Sequence, residues 1–202
     1  MRLLLTILMS TAGIIALAEE TAEPAATLVT HAGLAVTIPA HWQPHRSISP
    51  SIAVWRAALE TDQDADDATQ AYAQPSLAIS QQTRSRDVDW EILVTSIRKQ
   101  LKDLYTDVTI YDDKAITIDQ QVWWRMEASF QVGTLTWRQS WLFTLQHPHP
   151  DMPAELYSVV LSSLDAAWPQ WQDTRQGIEA SLHWHRDAQE NNDGNDGDDA
   201  SQ

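Results

Sequence analysis

The most regular pattern along the chain is an alternation of apolar and polar residues on both sides of Gly133, from residue 122 to residue 145. A two-residue turn at Gly133 and Thr134 would join the two halves as an antiparallel β-hairpin. On one face the expected pairs are Val132 with Leu135, Phe130 with Trp137, Ala128 with Gln139, Met126 with Trp141, Trp124 with Phe143 and Val122 with Leu145. On the other face they are Gln131 with Thr136, Ser129 with Arg138, Glu127 with Ser140 and Arg125 with Leu142. A slip of one residue would bury the charges and expose the aromatic rings, so the pattern predicts this register, at the centre of an antiparallel sheet.

Shorter alternating runs predict further strands. Leu34, Val36 and Ile38 alternate with smaller or polar residues, and Pro39 ends that strand because proline cannot donate to a sheet ladder. Trp42 is then expected to fold over the sheet edge and cap the core. Other strands are expected within 51–59, 75–83 and 154–164. Residues 108–119 are interpreted as one strand leading into the hairpin, or as a short hairpin bent at 112–114.

Two segments show the spacing of a helix with one buried face. The first lies within 87–105, where Asp87 or Asp89 is placed to cap the first turn. Its buried face is expected to carry Trp90, Val94, Ile97, Leu101 and Leu104. The second lies within 165–184, with Asp165 as the cap and Pro169 tolerated only near the first turn. Its face is expected to carry Trp171, Arg175, Ile178 and Leu182. The order of strands, helix, strands and helix indicates an α+β fold with an antiparallel sheet.

Residues 1–18 have the features of a secretory signal peptide. Arg2 comes first, an uncharged apolar run follows, and the small residues Ala16 and Ala18 precede Glu19. An uncleaved membrane anchor is the alternative, but the uncharged run is shorter than the roughly 20 residues that cross a bilayer. A flexible lead-in is expected at 19–26 and one folded domain at 27–185. Residues 186–202 are almost devoid of apolar side chains, so we expect a disordered acidic tail.

The charge balance excludes two classes of partner. The 202-residue chain has 28 Asp and Glu against 13 Lys and Arg, which gives a net charge of −15. Nucleic acids and anionic membrane surfaces bind cationic proteins, so neither is an expected partner. The sequence has no cysteine, which excludes disulfide bonds and an acylated cysteine anchor. We expect a periplasmic or otherwise extracytoplasmic protein without a stable membrane anchor after signal cleavage, held together by its core.

Several segments together resemble a known group of exported proteins. The first strand ends in Ile-Pro-Ala-His-Trp (38–42), a strand pair contains an acidic stretch at 60–75, a Trp-rich hairpin follows an amphipathic helix, and the last helix ends in Ile-Glu-Ala-Ser-Leu (178–182). This order is similar to the PsbP-like superfamily, which includes Mog-type and DcrB-like proteins, over residues 28–182. The resemblance implies an α/β/α sandwich, a central antiparallel sheet flanked by helices. It also implies a non-enzymatic role as an accessory subunit, adaptor, chaperone or envelope protein. DcrB-like relatives are often lipoproteins, a property that does not carry over to a chain without cysteine.

Histidines are the first candidates for metal chemistry, because imidazole is a common metal ligand. His41 and His45 are four residues apart, but Pro44 disfavours the helix that would bring them together. A second group lies in a proline-rich loop and comprises His147, His149 and Asp151. The interleaved prolines extend that loop and separate successive side chains. We therefore expect no metal site.

Catalytic motifs are not found in the sequence. It has no Gly-x-Ser-x-Gly nucleophile elbow, no cysteine and no glycine-rich phosphate loop, and its acidic residues concentrate in loops and tail. We therefore expect no enzymatic activity, no catalytic residues and no bound cofactor.

The polar face of the predicted hairpin is the candidate partner surface. Trp123 lies on the opposite parity from the core tryptophans, and Arg125, Glu127 and Arg138 follow along the same face. An exposed aromatic ring flanked by charges is typical of a binding anchor. The alternative is that the second helical layer covers Trp123.

These observations predict a non-catalytic exported protein that acts through protein–protein contact, as an accessory or chaperone-like factor. Its partner would be another envelope or secreted protein. The alternative function is a carrier of a small ligand, bound in a groove between sheet and helix that tryptophans line.

Overall fold

The computed structural model describes residues 26–47, 49–57 and 74–184. The expected signal peptide, the lead-in up to residue 25, most of the acidic stretch and the acidic tail lie outside these ranges. The described strands are β1 (Thr27–His31), β2 (Leu34–Ile38), β3 (Trp42–His45), β4 (Ile52–Ala57), β5 (Ser76–Arg84), β6 (Thr106–Ile118), β7 (Gln121–Val132), β8 (Leu135–Gln146), β9 (Ala154–Leu164) and β10 (His183–Trp184). The helices are α1 (Trp90–Leu104), a 3-10 helix (Asp165–Trp171) and α2 (Gln172–Ser181). Neither α-helix has the length and apolar character of a membrane span.

Seven strands form one antiparallel sheet in the order β3-β4-β5-β9-β8-β7-β6, and β1, β2 and β10 form a separate three-stranded sheet. The middle strand of the large sheet is β9, so the prediction that the β7–β8 hairpin lies at its centre is wrong. The reason is that β9 pairs with β8 on one side and with β5 on the other. The earlier strands β3 and β4 therefore extend the sheet away from the hairpin.

The register of the hairpin is confirmed at every pair from Val132 with Leu135 to Trp124 with Phe143. Gly133 has a φ of +64°. A two-residue hairpin turn needs such a positive φ, which glycine adopts without a steric penalty. The period of two then places alternate residues of β7 and β8 on opposite faces of the sheet.

Each face of the large sheet carries a covering layer. Helix α1 packs on the first face, around a core of Leu93, Val94, Leu101, Met126, Ala128, Phe130, Trp141, Phe143 and Leu156. The 3-10 helix, α2 and the small sheet cover the second face, around a core that includes Leu34, Val36, Ile38, Trp42, Leu77, Ile79, Trp123, Leu142, Val159, Leu161, Trp168, Ile178 and Leu182. This arrangement confirms the predicted α+β fold with an antiparallel sheet between helical layers.

Helix α1 begins where its cap was expected. Asp89 is the cap, and its Oδ1 accepts a hydrogen bond of 2.8 Å from the backbone N–H of Ile92. Leu104, however, is 72% exposed, and Leu93 is buried instead. Leu104 is the last helical residue, and the chain enters β6 directly afterwards, so its side chain lies at the edge of the layer.

The second layer differs from the single helix that the spacing predicted. Residues Asp165–Trp171 form a 3-10 helix that contains Pro169, and α2 begins only after it. Asp165 makes no capping hydrogen bond. Its carboxylate lies 3.4 Å from Arg138 on β8 instead, so it pairs the second layer with the sheet and does not stabilise the start of a helix.

Trp42 is buried as expected: its backbone N–H donates to the carbonyl of Pro39 (3.0 Å), and its ring meets Trp171 edge-on at 5.9 Å. It also begins β3, an edge strand that the pattern did not predict.

Strand β6 is continuous through residues 112–114 with register shifts against β7, so the alternative of a separate hairpin there does not occur.

The turn between β6 and β7 provides a test of backbone strain. Asp119 (φ +46°) and Gln120 (φ +63°) both occupy the left-handed region, which costs a non-glycine residue roughly 1–2 kcal/mol. Replacing Gln120 with glycine should therefore raise the free energy of unfolding by about 0.5–1 kcal/mol, after the added entropy of the unfolded chain is deducted. Urea denaturation measures the change.

Thr134, the second residue of the β7–β8 turn, is the matched control. It does not lie in the left-handed region, so Thr134→Gly should only increase unfolded-state entropy and lower stability by about 0.5–1 kcal/mol. Equal effects of the two glycine substitutions would contradict this account of the turn.

Candidate functional site

Trp123, the expected anchor of the partner surface, is 1% exposed. It belongs to the core between the large sheet and the second layer. The expectation of an exposed indole is therefore wrong, and the alternative, coverage by the second layer, describes its surroundings. The covering comes from the small sheet as well as from the helical segments, which is why so short a helix as α2 suffices.

The three charged residues predicted beside Trp123 lie together with it, but in an interior set of ion pairs. Arg138 donates from Nε to Glu127 Oε1 (2.9 Å) and from Nη1 to Asp165 (3.4 Å). Arg125 donates from Nε to Asp112 (2.7 Å) and from Nη1 to Glu179 (3.2 Å). These contacts join the large sheet to the 3-10 helix and α2.

Arg175 closes the set into a continuous network. It pairs with Glu179 within α2, and its Nε lies 3.9 Å from Glu127 Oε2 on β7. We call Asp112, Arg125, Glu127, Arg138, Asp165, Arg175 and Glu179 the ion network. Burial acts to lower the pKa of the Arg125 guanidinium, but the charges of Glu179 and Asp112 and their hydrogen bonds outweigh it, so the pKa is raised. The Arg125 guanidinium is therefore held in its charged form by its two carboxylate partners.

Aromatic rings enclose the Arg138 guanidinium. Its Cζ lies 3.8 Å from the ring centre of Tyr111 and 5.5 Å from that of Trp168. Cation–π contacts of this kind stabilise a partly desolvated guanidinium. Arg138 is thus held by two carboxylates and two rings, which makes it a structural side chain that joins β8 to the second layer.

The candidate histidines of the described residues are exposed. His41 and His45 are exposed at the two ends of the short β3 region. In the proline-rich loop, His149 Nδ1 lies 3.8 Å from Asp151, and both side chains are exposed. Within 26–47, 49–57 and 74–184, no group of three or more His, Cys, Asp or Glu side chains is placed to hold a metal ion. His185 lies outside the described residues.

A concave apolar surface is found at the turn end of the β7–β8 hairpin. Its volume is about 460 Å³, and we call it the hairpin-end groove. Its apolar lining consists of Tyr105, Phe130, Val132, Leu135 and Trp137, and its polar lining of Ser76, Gln139 and Ser162. Tyr105 and Phe130 stack with ring centres 4.1 Å apart. No charged side chain lines this groove, so it is suited to an uncharged, apolar contact.

A second cavity, which we call the helix groove, lies between α1 and the large sheet. Its volume is about 280 Å³. It shares Tyr105 and Gln139 with the hairpin-end groove and extends beneath Leu101 to Gln82 and Arg84 on β5. Trp141 lines it, and Trp137 lines its neighbour. These two tryptophans therefore lie where the alternative function, a ligand carrier, would require them.

The ion network predicts a large stability effect at Glu127. Glu127→Ala would leave Arg138 and Arg175 without their shared carboxylate in a largely buried site. Loss of one partner of a buried ion pair typically costs about 3–5 kcal/mol, so we expect a comparable loss of unfolding free energy in urea denaturation.

The exposed pair of Lys99 and Asp103 on α1 serves as the control. Asp103→Ala should change stability by less than about 0.5 kcal/mol, because exposed pairs of this spacing contribute little. If both variants lost the same small amount, the network would not connect the layers as described.

Comparison with known proteins identifies the fold. No protein-family model matches the chain, and no curated protein matches its sequence. Among solved structures, LpqN of Mycobacterium tuberculosis, described as involved in cell envelope biogenesis, matches with a TM-score of 0.58 at 16% identity, over 77% of this chain and 88% of LpqN. The cyanobacterial PsbP (CyanoP) of Synechocystis sp. PCC 6803 matches with 0.57 at 15% identity, over 86% of this chain and 100% of CyanoP. The Ran-binding protein Mog1p of Saccharomyces cerevisiae matches with 0.51 at 7% identity, over 79% and 96%. The resemblance predicted from the sequence is confirmed at the level of architecture: this chain has a PsbP/Mog-like fold.

Proposed function

We propose that this protein is exported to the periplasm or another extracytoplasmic space and acts there, without catalysis, by binding an envelope or secreted protein. The observation that carries the proposal is the hairpin-end groove. Its rim presents Val132 (48% exposed) and Leu135 (36% exposed) beside three aromatic rings. Contiguous apolar surface of this kind, edged by polar residues, is typical of protein interaction sites.

The chemistry of the groove favours a protein partner with an apolar anchor. Tyrosine and tryptophan are enriched where interfaces bury most free energy, since they offer large apolar area and a polar tip. Tyr105 lies just after the end of α1, and Trp137 lies on β8. Gln139 and Ser162 supply neutral hydrogen-bonding groups. One or two apolar side chains of a partner would fill such a surface.

The fold relatives support the same theme without identifying a partner. LpqN is described as acting in cell envelope biogenesis and Mog1p as binding Ran. We extend to this chain only the general idea that the fold serves as a binding module at the envelope. The signal-peptide features of residues 1–18 and the net charge of −15 support export and a protein rather than nucleic-acid partner.

The predicted partner residues have a supporting place in this proposal. Arg138 and Glu127 join β8 to β7 within the same hairpin whose turn end carries the groove. Their contribution to partner binding would be to hold the hairpin in position beneath the second layer. Substituting them should weaken binding only to the extent that it destabilises the fold.

Export provides a direct test. Cleavage after Ala18 would leave Glu19 as the first residue of the mature protein, because small residues precede that bond. Mass spectrometry of the protein recovered from the periplasmic or culture fraction should show this N-terminus. Recovery of the intact chain in the membrane fraction would contradict export as a cleaved protein.

Site-directed photo-crosslinking tests the contact surface. A photoreactive residue at position 135 should crosslink a protein partner in intact cells, and Val132→Asp should reduce that crosslink at least tenfold, since desolvating a carboxylate in the interface opposes binding. Val122 is the matched control, because it is an equally exposed valine (53%) at the other end of β7. Val122→Asp should leave the crosslink unchanged, and equal loss in both variants would contradict the proposed surface.

A further inference from the structure

We propose that the helix groove binds a long-chain carboxylate, with the acyl chain lying between α1 and the large sheet and the carboxylate on Arg84. This inference goes beyond the proposed function and does not rest on it. It concerns the end of the α1 face that lies away from the hairpin turn.

Apolar side chains lie on both sides of the helix groove, and Gln82, Gln100, Gln139 and Ser158 supply its neutral polar lining. Helix α1 contributes Ile97, Leu101 and Leu104, and the sheet contributes Phe143 and Val160. Leu104, which is exposed at the end of α1, lies on this wall. Covering these side chains with an acyl chain would remove apolar surface from water, which is favourable in proportion to the area covered.

The sheet side of the groove includes one small residue, Ser158 of β9. Ser80 lies opposite Ser158 in the sheet, and their hydroxyl oxygens are 2.7 Å apart. This bond satisfies one of the two hydroxyl donors, so the pair presents less polar surface than two unpaired serines would.

The shape of the space favours a linear occupant. Arg84 of the helix groove and Ser76 of the hairpin-end groove lie on the same strand, β5, about 27 Å apart at roughly 3.4 Å per residue. The helix groove meets the hairpin-end groove at Tyr105 and Gln139. An extended chain can therefore run from Arg84 toward Phe130, whereas a compact ligand would contact only one part of this track.

The charge in the groove favours an anionic head group. Arg84 is the one charged residue of the helix-groove lining within the described part of the chain. Its Nη2 donates to Gln82 Oε1 (2.6 Å), which orients the guanidinium. Within the same residues Arg84 has no ion pair, whereas Arg98 pairs with Asp113. A guanidinium binds a carboxylate through paired N–H donors, and Arg84 is placed to do so within the helix groove.

Calorimetric titration of the mature protein with octanoate, decanoate and dodecanoate, below their micelle concentrations, tests the proposal. Affinity should rise about fourfold for each added methylene that enters the groove. Arg84→Gln should weaken dodecanoate binding about tenfold and leave dodecanol binding unchanged, since only the carboxylate uses the guanidinium. Arg86, which pairs with Asp87 outside the groove, is the matched control. Arg86→Gln should change neither affinity.

Two further variants address the acyl chain. Ser158→Phe should fill the groove and abolish binding of both dodecanoate and dodecanol. If that variant does not fold, Leu104→Asp places a carboxylate on the exposed wall and should weaken both ligands at least tenfold. Dodecyl phosphate and an apolar hexapeptide complete the panel, and tighter binding of either than of dodecanoate would overturn the assignment.

Affinity that does not depend on chain length, or equal losses in Arg84→Gln and Arg86→Gln, would also overturn it. Failure of this proposal can be distinguished from failure of the proposed function. Arg84→Gln should leave crosslinking from position 135 intact, and loss of that crosslink in Val132→Asp should leave dodecanoate binding within twofold.

Discussion

The register of the β7–β8 hairpin is the constraint on which the rest of the structure depends. Because side chains alternate strictly along a strand, one parity carries Met126 and Phe130 toward α1 and the other carries Trp123 and Glu127 toward the second layer. Both faces of the sheet are covered, so neither parity can be treated as solvent-facing. A slip of one residue would move the charges beneath α1, into a core of apolar side chains.

The second layer is fixed by charge as much as by apolar packing. Helix α2 buries Ile178 but otherwise presents mostly polar residues, so apolar burial alone specifies its position weakly. Glu179 and Arg175 fix the position of α2 further. Each side chain must pair with an opposite charge on the sheet to offset the cost of its desolvation. The same requirement explains why Asp165 pairs with Arg138 instead of capping a helix.

The sequence predicted local structure well, but it did not predict which faces of the sheet are covered by other elements. The hairpin pairs, the Asp89 cap and the buried Trp42 followed from residues that are adjacent or a few positions apart. Parity also separated Trp123 from the core tryptophans of the other face, but parity cannot say whether a face is covered. The cover includes β10, a two-residue strand without any detectable pattern, and β1, which lies next to a strand that was predicted alone. The grooves depend on how much of a seven-stranded sheet a single helix spans, and the nearest sequence signal is the pair of small residues Ser158 and Ser162 on β9.

The unequal cover of the two faces explains where binding can occur. On the second face, three segments and the ion network leave little space between layers, as the cavity of about 10 Å³ beside Ile178 and Arg175 shows. On the first face, α1 lies over β7 and β8, and a groove lined by residues of β5, β8 and β9 lies at its side. Sheet residues therefore remain accessible beside α1, whereas the second layer packs closely around its ion pairs. A partner side chain at the hairpin end and an acyl chain beside α1 would both use that access, because each covers apolar surface that the fold itself leaves in contact with water.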